Sequence, residues 1–168
     1  MKRVMFSIAL FVMAGLALSS PAQNSKPPSQ DAINFAKEAA DLMTATLFAA
    51  LLQEFDETTP ANIPQGIQSI GLIFNDRNTN MRLVGTLQPL SNNDLPNDSF
   101  EETALSRALT GTPTDNVVEK VQGDWVFRRA IPLSNFHPAC VMCHSNFGST
   151  PSNTEWVGAL MLKVPIND

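Results

Sequence analysis

The chain has 168 residues, of which 43% are hydrophobic and 16% charged, with a formal net charge of −5. That length suits a single domain large enough for a proper core. The acidic balance, with no Lys/Arg cluster, excludes nucleic acid and anionic lipid as expected partners.

Lys2 and Arg3 precede an apolar run, Val4–Leu18, and "SSPAQ" puts Ser20 and Ala22 at the small-residue positions of a signal-peptidase site. Residues 1–22 therefore read as a cleavable signal peptide, which implies a periplasmic or otherwise exported protein. The run is shorter than the roughly 20 residues that span a bilayer, so no stable membrane anchor is expected after cleavage. No cysteine follows it to take a lipid. Cleavage removes two basic residues, leaving 9 against 16 acidic ones and a net charge of −7.

Residues 23–30 read as a flexible leader and 31–168 as the folded domain. A helix is predicted from Asp31 to about Asp56, because Ile33, Ala36, Ala40, Met43, Leu47, Leu51 and Phe55 recur every three or four residues. Ile63, Ile67, Ile70 and Phe74 predict a second, shorter helix. Residues 81–87 read as a strand with Met81, Leu83, Gly85 and Leu87 on one face, followed by a long polar loop. Ser99 and Glu102 form a capping-box pattern that opens a helix carrying Phe100, Leu105 and Leu109 and ending near Gly111. "NVVEKV" and "WVFRRAI", separated by Gln122-Gly123-Asp124, predict a hairpin, and 156–164 a last strand. The order reads as α+β, with N-terminal helices packed on a small antiparallel sheet.

The chain has two cysteines and two histidines, and all four fall in "HPACVMCHSN". Cys140-Val141-Met142-Cys143-His144 is C-x-x-C-H, the attachment pattern of c-type haem. Two thiols at that spacing can add across the two haem vinyl groups within one short turn, and His144 then lies under the iron as its proximal ligand. Attachment takes place outside the cytoplasm, in agreement with the independent export signal. Three other uses of these residues compete. A thiol–disulfide redox pair normally opens a helix in a βαβ unit, which is absent around Pro138. A zinc site of His137, Cys140, Cys143 and His144 has suitable ligand types, but adjacent ligands at Cys143 and His144 crowd one tetrahedral ion. A structural disulfide leaves His144 unexplained.

For the opposite face of the iron the order of expectation is no protein ligand, then Met43, Met81 or Met161, then His137. His137 comes last because it is three residues from a tethered cysteine. Each methionine also sits at a core-like position, where packing alone explains it. Among scaffolds, a four-helix cytochrome also carries its motif near the C-terminus. The strand-like 116–131 and 156–164, with Pro132, Pro138 and Pro151, speak against it.

"LVGTLQPLSNNDLPNDSFE", the following Leu/Ala helix, "RRAIPL", the C-x-x-C-H and "VGALMLKVP" together resemble the Tll-type haem c domains. These are exported C-x-x-C-H proteins with a PAS-like fold, also found as modules of bacterial sensors. In that resemblance Thr86 takes the place of a Ser, Pro96 that of a Pro, and Phe100-Glu101 that of an aromatic–Glu pair. An Arg and an Arg-Asn-Pro core of the family pattern are not kept. A cysteine that can ligate iron from the family's second helix falls near Gly66 here, and this chain has no third cysteine. The resemblance implies one covalent haem c on Cys140, Cys143 and His144. It implies a redox or small-gas sensor acting through a redox or signalling partner; a periplasmic single-haem electron carrier is the alternative. No paired carboxylates, Ser–His arrangement or phosphate loop points to an enzyme.

Overall fold

The computed structural model describes residues 26–56, 79–85, 95–142, 144, 147–148, 150 and 152–167. The proposed signal peptide, the second helix over 63–74, Gly66, Thr86 and Cys143 lie outside the described residues. Among those residues, two α-helices flank one four-stranded antiparallel sheet, so the α+β reading and the antiparallel sheet are correct.

Helix α1 spans Gln30–Asp56. Ser29 caps it: the Ala32 N–H donates to Ser29 Oγ at 3.3 Å and the Ile33 N–H to the Ser29 carbonyl at 3.1 Å. Its predicted apolar stripe is the buried one, with Ala36, Ala40, Met43, Leu47 and Leu51 all inside. Strand β1 is Asn80–Gly85, helix α2 Ser99–Ala108, and strands β2, β3 and β4 are Val117–Val121, Asp124–Asn135 and Ser152–Pro165. The strands lie in the order β1-β4-β3-β2.

Gln122 and Gly123 form the whole β2–β3 turn. Both have positive φ, 55° and 98°, and Val121 pairs with Asp124. This is the two-residue turn whose twist matches the flanking strands. Strand β3 runs four residues past the predicted Ile131, through Pro132. Strand β2 pairs only as far as Arg128, so beyond it β3 bonds on the β4 side alone and a missing N–H is harmless there.

Alternation along β3 and β4 divides the core between the two faces. Phe127, Leu133, Leu160, Leu162 and Val164 meet α1 on one face, together with Met81 of β1. Val84, Ala130, Ala159 and Met161 meet Ala104, Leu105 and Ala108 of α2 on the other. Small residues let α2 lie close to the sheet.

The start of α2 corrects the predicted capping box by one residue. Asp98, extended at φ −155°, is the N-cap, and its carboxylate accepts the Glu101 N–H at 3.0 Å. The Glu101 carboxylate reaches back to the Asn97 N–H at 2.8 Å. Asp98 and Ser99 are both capping residues; Asp98 prevails because its carboxylate also pairs with Arg128 of β3 at 2.9 Å. The helix ends at Ala108, and the chain turns away at the expected glycine, Gly111, whose φ is +71°. A Cβ there would stand 2.5 Å from the Trp156 ring, so glycine serves both the turn and the seat of that indole.

Candidate functional site

The segment carrying the cysteines is the loop between β3 and β4. Its neck is built by Asn135, the last residue of β3, which pairs with Ser152 where the β3–β4 register becomes irregular. Asn135 is fully buried at 0% exposure. Its Nδ2 donates to the Gly148 carbonyl at 3.1 Å, the Thr150 carbonyl at 3.3 Å and Glu155 Oε2 at 2.8 Å. All three neighbours are acceptors, which fixes the orientation of the amide. Glu155 in turn accepts the Gly148 N–H, at 3.1 Å on Oε1 and 3.3 Å on Oε2. The Asn135 hydrogen bond, followed by that from Gly148, lowers the Glu155 pKa below its ordinary value, against a smaller opposing effect of burial.

Inside the loop, Pro138–Met142 is a short 3₁₀ turn. Proline fits its first position, where no N–H is needed. The Cys140 N–H donates to the His137 carbonyl at 2.9 Å, and the His144 N–H to the Cys140 carbonyl at 3.0 Å. The second bond spans four residues, so a single α-type turn of backbone joins Cys140 to His144. Both are half-buried. The Phe147 N–H continues the coil to the His144 carbonyl at 3.0 Å, and the Phe147 ring lies 5.5 Å from the imidazole at 52°. Phe147 is itself buried. Ahead of the turn, Phe136 meets Phe48 of α1 edge to face, with ring centroids 5.7 Å apart. Among the described residues no three His, Cys, Asp or Glu side chains gather closely enough to hold a metal ion.

His137 is half-buried at the entrance of the turn. The three methionines lie elsewhere in the core. Met161 pairs with Ala130 of β3 and packs on the α2 face. Ala130 is five residues from Asn135, roughly 17 Å along the strand at 3.3 Å per residue. Met81 lies on the α1 face opposite Leu162, which pairs with Arg129, one residue further still. Met43 lies on α1, five residues before Phe48, an axial rise of roughly 7.5 Å. The structure therefore brings Met43 closest to the loop by its element and leaves Met81 and Met161 toward the other end of the sheet.

A charged cluster on the α2 face was not anticipated from the sequence. Arg128, 5% exposed, pairs with Asp98 and Glu119, each at 2.9 Å, and lies 3.8 Å from Glu101. Its guanidinium stacks 4.2 Å over the Phe100 ring. Arg82 of β1 closes the cluster through Glu101 at 3.1 Å. Burial would raise the Asp98 pKa, but the Arg128 hydrogen bonds, the Glu101 N–H and the Arg128 charge outweigh it, and the net shift is downward. The cluster borders an open cleft of about 350 Å³ that Asn97, Gln122, Met161 and Lys163 also line. The available signal was Arg128 at an inward position between Val126 and Ala130, where a lone charge requires partners.

The Tll0287-like family model matches residues 25–161, which takes in both helices, the loop of Cys140 and His144, and all of the sheet but the last four residues of β4. The chain belongs to the Tll0287-like family. Tll0287-like domains are a haem-binding, PAS-like family, so the structure described here is that of a haem-binding type of domain. No curated protein and no solved structure matches the chain. The Tll0287-like match covers the buried charged cluster as well as the cysteine loop.

Proposed function

We propose that the protein is an exported, PAS-like domain that carries one covalent haem c on Cys140 and Cys143, with His144 as the proximal iron ligand, and reports redox state or a small gas to a partner protein. The observation that carries this reading is the single backbone turn that joins Cys140 to His144, within a chain of the haem-binding Tll0287-like family. That is the arrangement a haem held by thioether and imidazole needs. The partly buried thiol, the half-buried imidazole and the nearby rings of Phe136 and Phe147 suit an apolar macrocycle better than a small hydrated ion. When bound, haem would supply an iron that changes oxidation state and can take a diatomic gas. The chain's own part would be to hold the imidazole in place, exclude water with Phe147 and pass any displacement on to α1 through the Phe136–Phe48 contact.

With no cysteine near position 66, the distal side would be open or held by a weak ligand, in the order no protein ligand, Met43, the remaining methionines, then His137. This favours sensing over electron transfer, since a carrier keeps both axial ligands. The test is the full chain expressed with haem-attachment machinery. One haem should remain after acid–acetone extraction and appear in the intact mass of a chain cut after Ala22. Cys140→Ser with Cys143→Ser should abolish it, and the ferrous protein should bind carbon monoxide. Colourless protein under those conditions would defeat the haem reading, and a ferrous spectrum indifferent to carbon monoxide would defeat gas sensing.

A further inference from the structure

The 16 residues between Asn135 and Ser152 hold the whole C-x-x-C-H, yet the strand bonding of β3 and β4 ends at those two residues. Among the described residues, side-chain hydrogen bonds close the loop. Asn135, with no exposed surface, bonds Gly148, Thr150 and Glu155, and Glu155 bonds Gly148 from the other side. Gly148 is thus held at both its N–H and its carbonyl. It directly follows Phe147, whose N–H bonds the His144 carbonyl and whose buried ring rests against the imidazole. The chain of contacts from the sheet to His144 is Asn135 and Glu155, then Gly148, then Phe147. An amide at 0% exposure is an expensive way to close a loop. Its Oδ1 has no hydrogen-bond partner among the described residues, so burying Asn135 leaves one acceptor unmet. An apolar neck would avoid that loss; what Asn135 provides instead is a fixed position for Gly148.

Resting on the haem reading above, we infer that Asn135 and Glu155 are positioning residues for the proximal ligand: they hold Gly148 in place and, through the adjoining Phe147 ring, would keep the His144 imidazole set for the iron. Residues that orient a metal-bound histidine typically contribute 10–100-fold to metal affinity. Protons and iron compete for the same imidazole nitrogen. A tenfold weaker hold on iron therefore raises by about one unit the pH at which His144 leaves the iron on acidification.

The experiment compares the full haem-loaded chain with Asn135→Ala, Glu155→Gln and, as a control of similar structural disturbance away from the loop, Val118→Ala on β2. The readouts are the acid midpoint of the ferric spectrum, the iron–histidine stretch of the ferrous protein, and amide hydrogen exchange over 144–150. Asn135→Ala should raise the acid midpoint by about one pH unit and speed exchange over 144–150, with β2 and β3 still protected. Glu155→Gln, which keeps an oxygen for the Gly148 N–H but loses the charge, should move both in the same direction by less. Unchanged midpoint and stretch in both loop variants, or an equal shift in Val118→Ala, overturns the positioning role. If Asn135→Ala does not fold, Glu155→Gln decides alone. A wild-type chain that takes up no haem defeats the haem reading itself, and the exchange measurement still shows whether the clamp orders the loop.

Discussion

Glu101 of α2 meets Arg82 of β1 across 3.1 Å, with side chains 7% and 12% exposed. The same carboxylate accepts the Asn97 N–H and lies 3.8 Å from Arg128 of β3. One side chain thereby ties the start of α2 to two strands that are not neighbours in the sheet. A carboxylate this deep is stable only while its cations remain, whereas Arg128 also keeps Asp98 and Glu119.

Glu101→Ala should therefore destabilise the domain by about 2–3 kcal/mol, because Arg82 loses its carboxylate and the Asn97 N–H its acceptor, while Arg128 keeps Asp98 and Glu119. Glu101→Gln should lie between, since an amide oxygen can still accept from Asn97. Urea unfolding of the two variants measures this, and a loss below about 1 kcal/mol for the alanine variant would assign the cluster to the solvated surface.

Stability should be nearly level around neutral pH and fall in acid. Asp98 and Glu155 both have folded pKa values below their ordinary ones. For Asp98, burial works upward and is outweighed by Arg128; for Glu155, the Asn135 hydrogen bond leads. A lowered carboxylate contributes stability that is present above its unfolded pKa and lost as pH falls through the folded one. The decline should begin near pH 4. Melting temperature against pH, in wild type and Asp98→Asn, tests this: the variant should be less stable at neutral pH and lose less on acidification.

Gly158→Ala should loosen β1 from β4. A Cβ at Gly158 would stand 2.1 Å from the Val84 carbonyl oxygen and 2.9 Å from the Gly85 Cα. Both obstacles are backbone, so the strands must part, at a cost of about 1–3 kcal/mol. Hydrogen exchange over 80–85 should quicken while β2–β3 stays protected. Unchanged protection in β1 would mean that the close approach relaxes freely.

Met161→Leu and Met81→Leu should leave the spectrum of the haem-loaded chain unchanged. Met161 packs on the α2 face, and Met81 pairs toward the far end of the sheet from the loop. Met43→Leu is the one methionine change expected to matter, and only if carbon monoxide must displace a protein ligand. A spectrum altered by Met161→Leu but not by Met43→Leu would reverse that order.

Sequence by itself determined the local elements and gathered both cysteines and both histidines into one loop. The spacing from Ile33 to Leu51 encodes α1 because a period near 3.6 buries one face, and Gln122-Gly123 encodes a turn because glycine accepts positive φ. C-x-x-C-H is legible because all its members are consecutive. Tertiary structure decided what depends on partners distant in the chain. Asp98 rather than Ser99 caps α2 because Arg128 is 30 residues away in sequence and in contact in space. Pro132 sits inside a strand because β2 stops short of it. Met43 and Met161 look alike as buried apolar residues, and only the alternation of the folded sheet puts them on opposite faces. The closure of the β3–β4 loop by Asn135 and Glu155 carries no sequence signal, because two polar residues 20 positions apart acquire meaning only when β3 and β4 bring them within 2.8 Å.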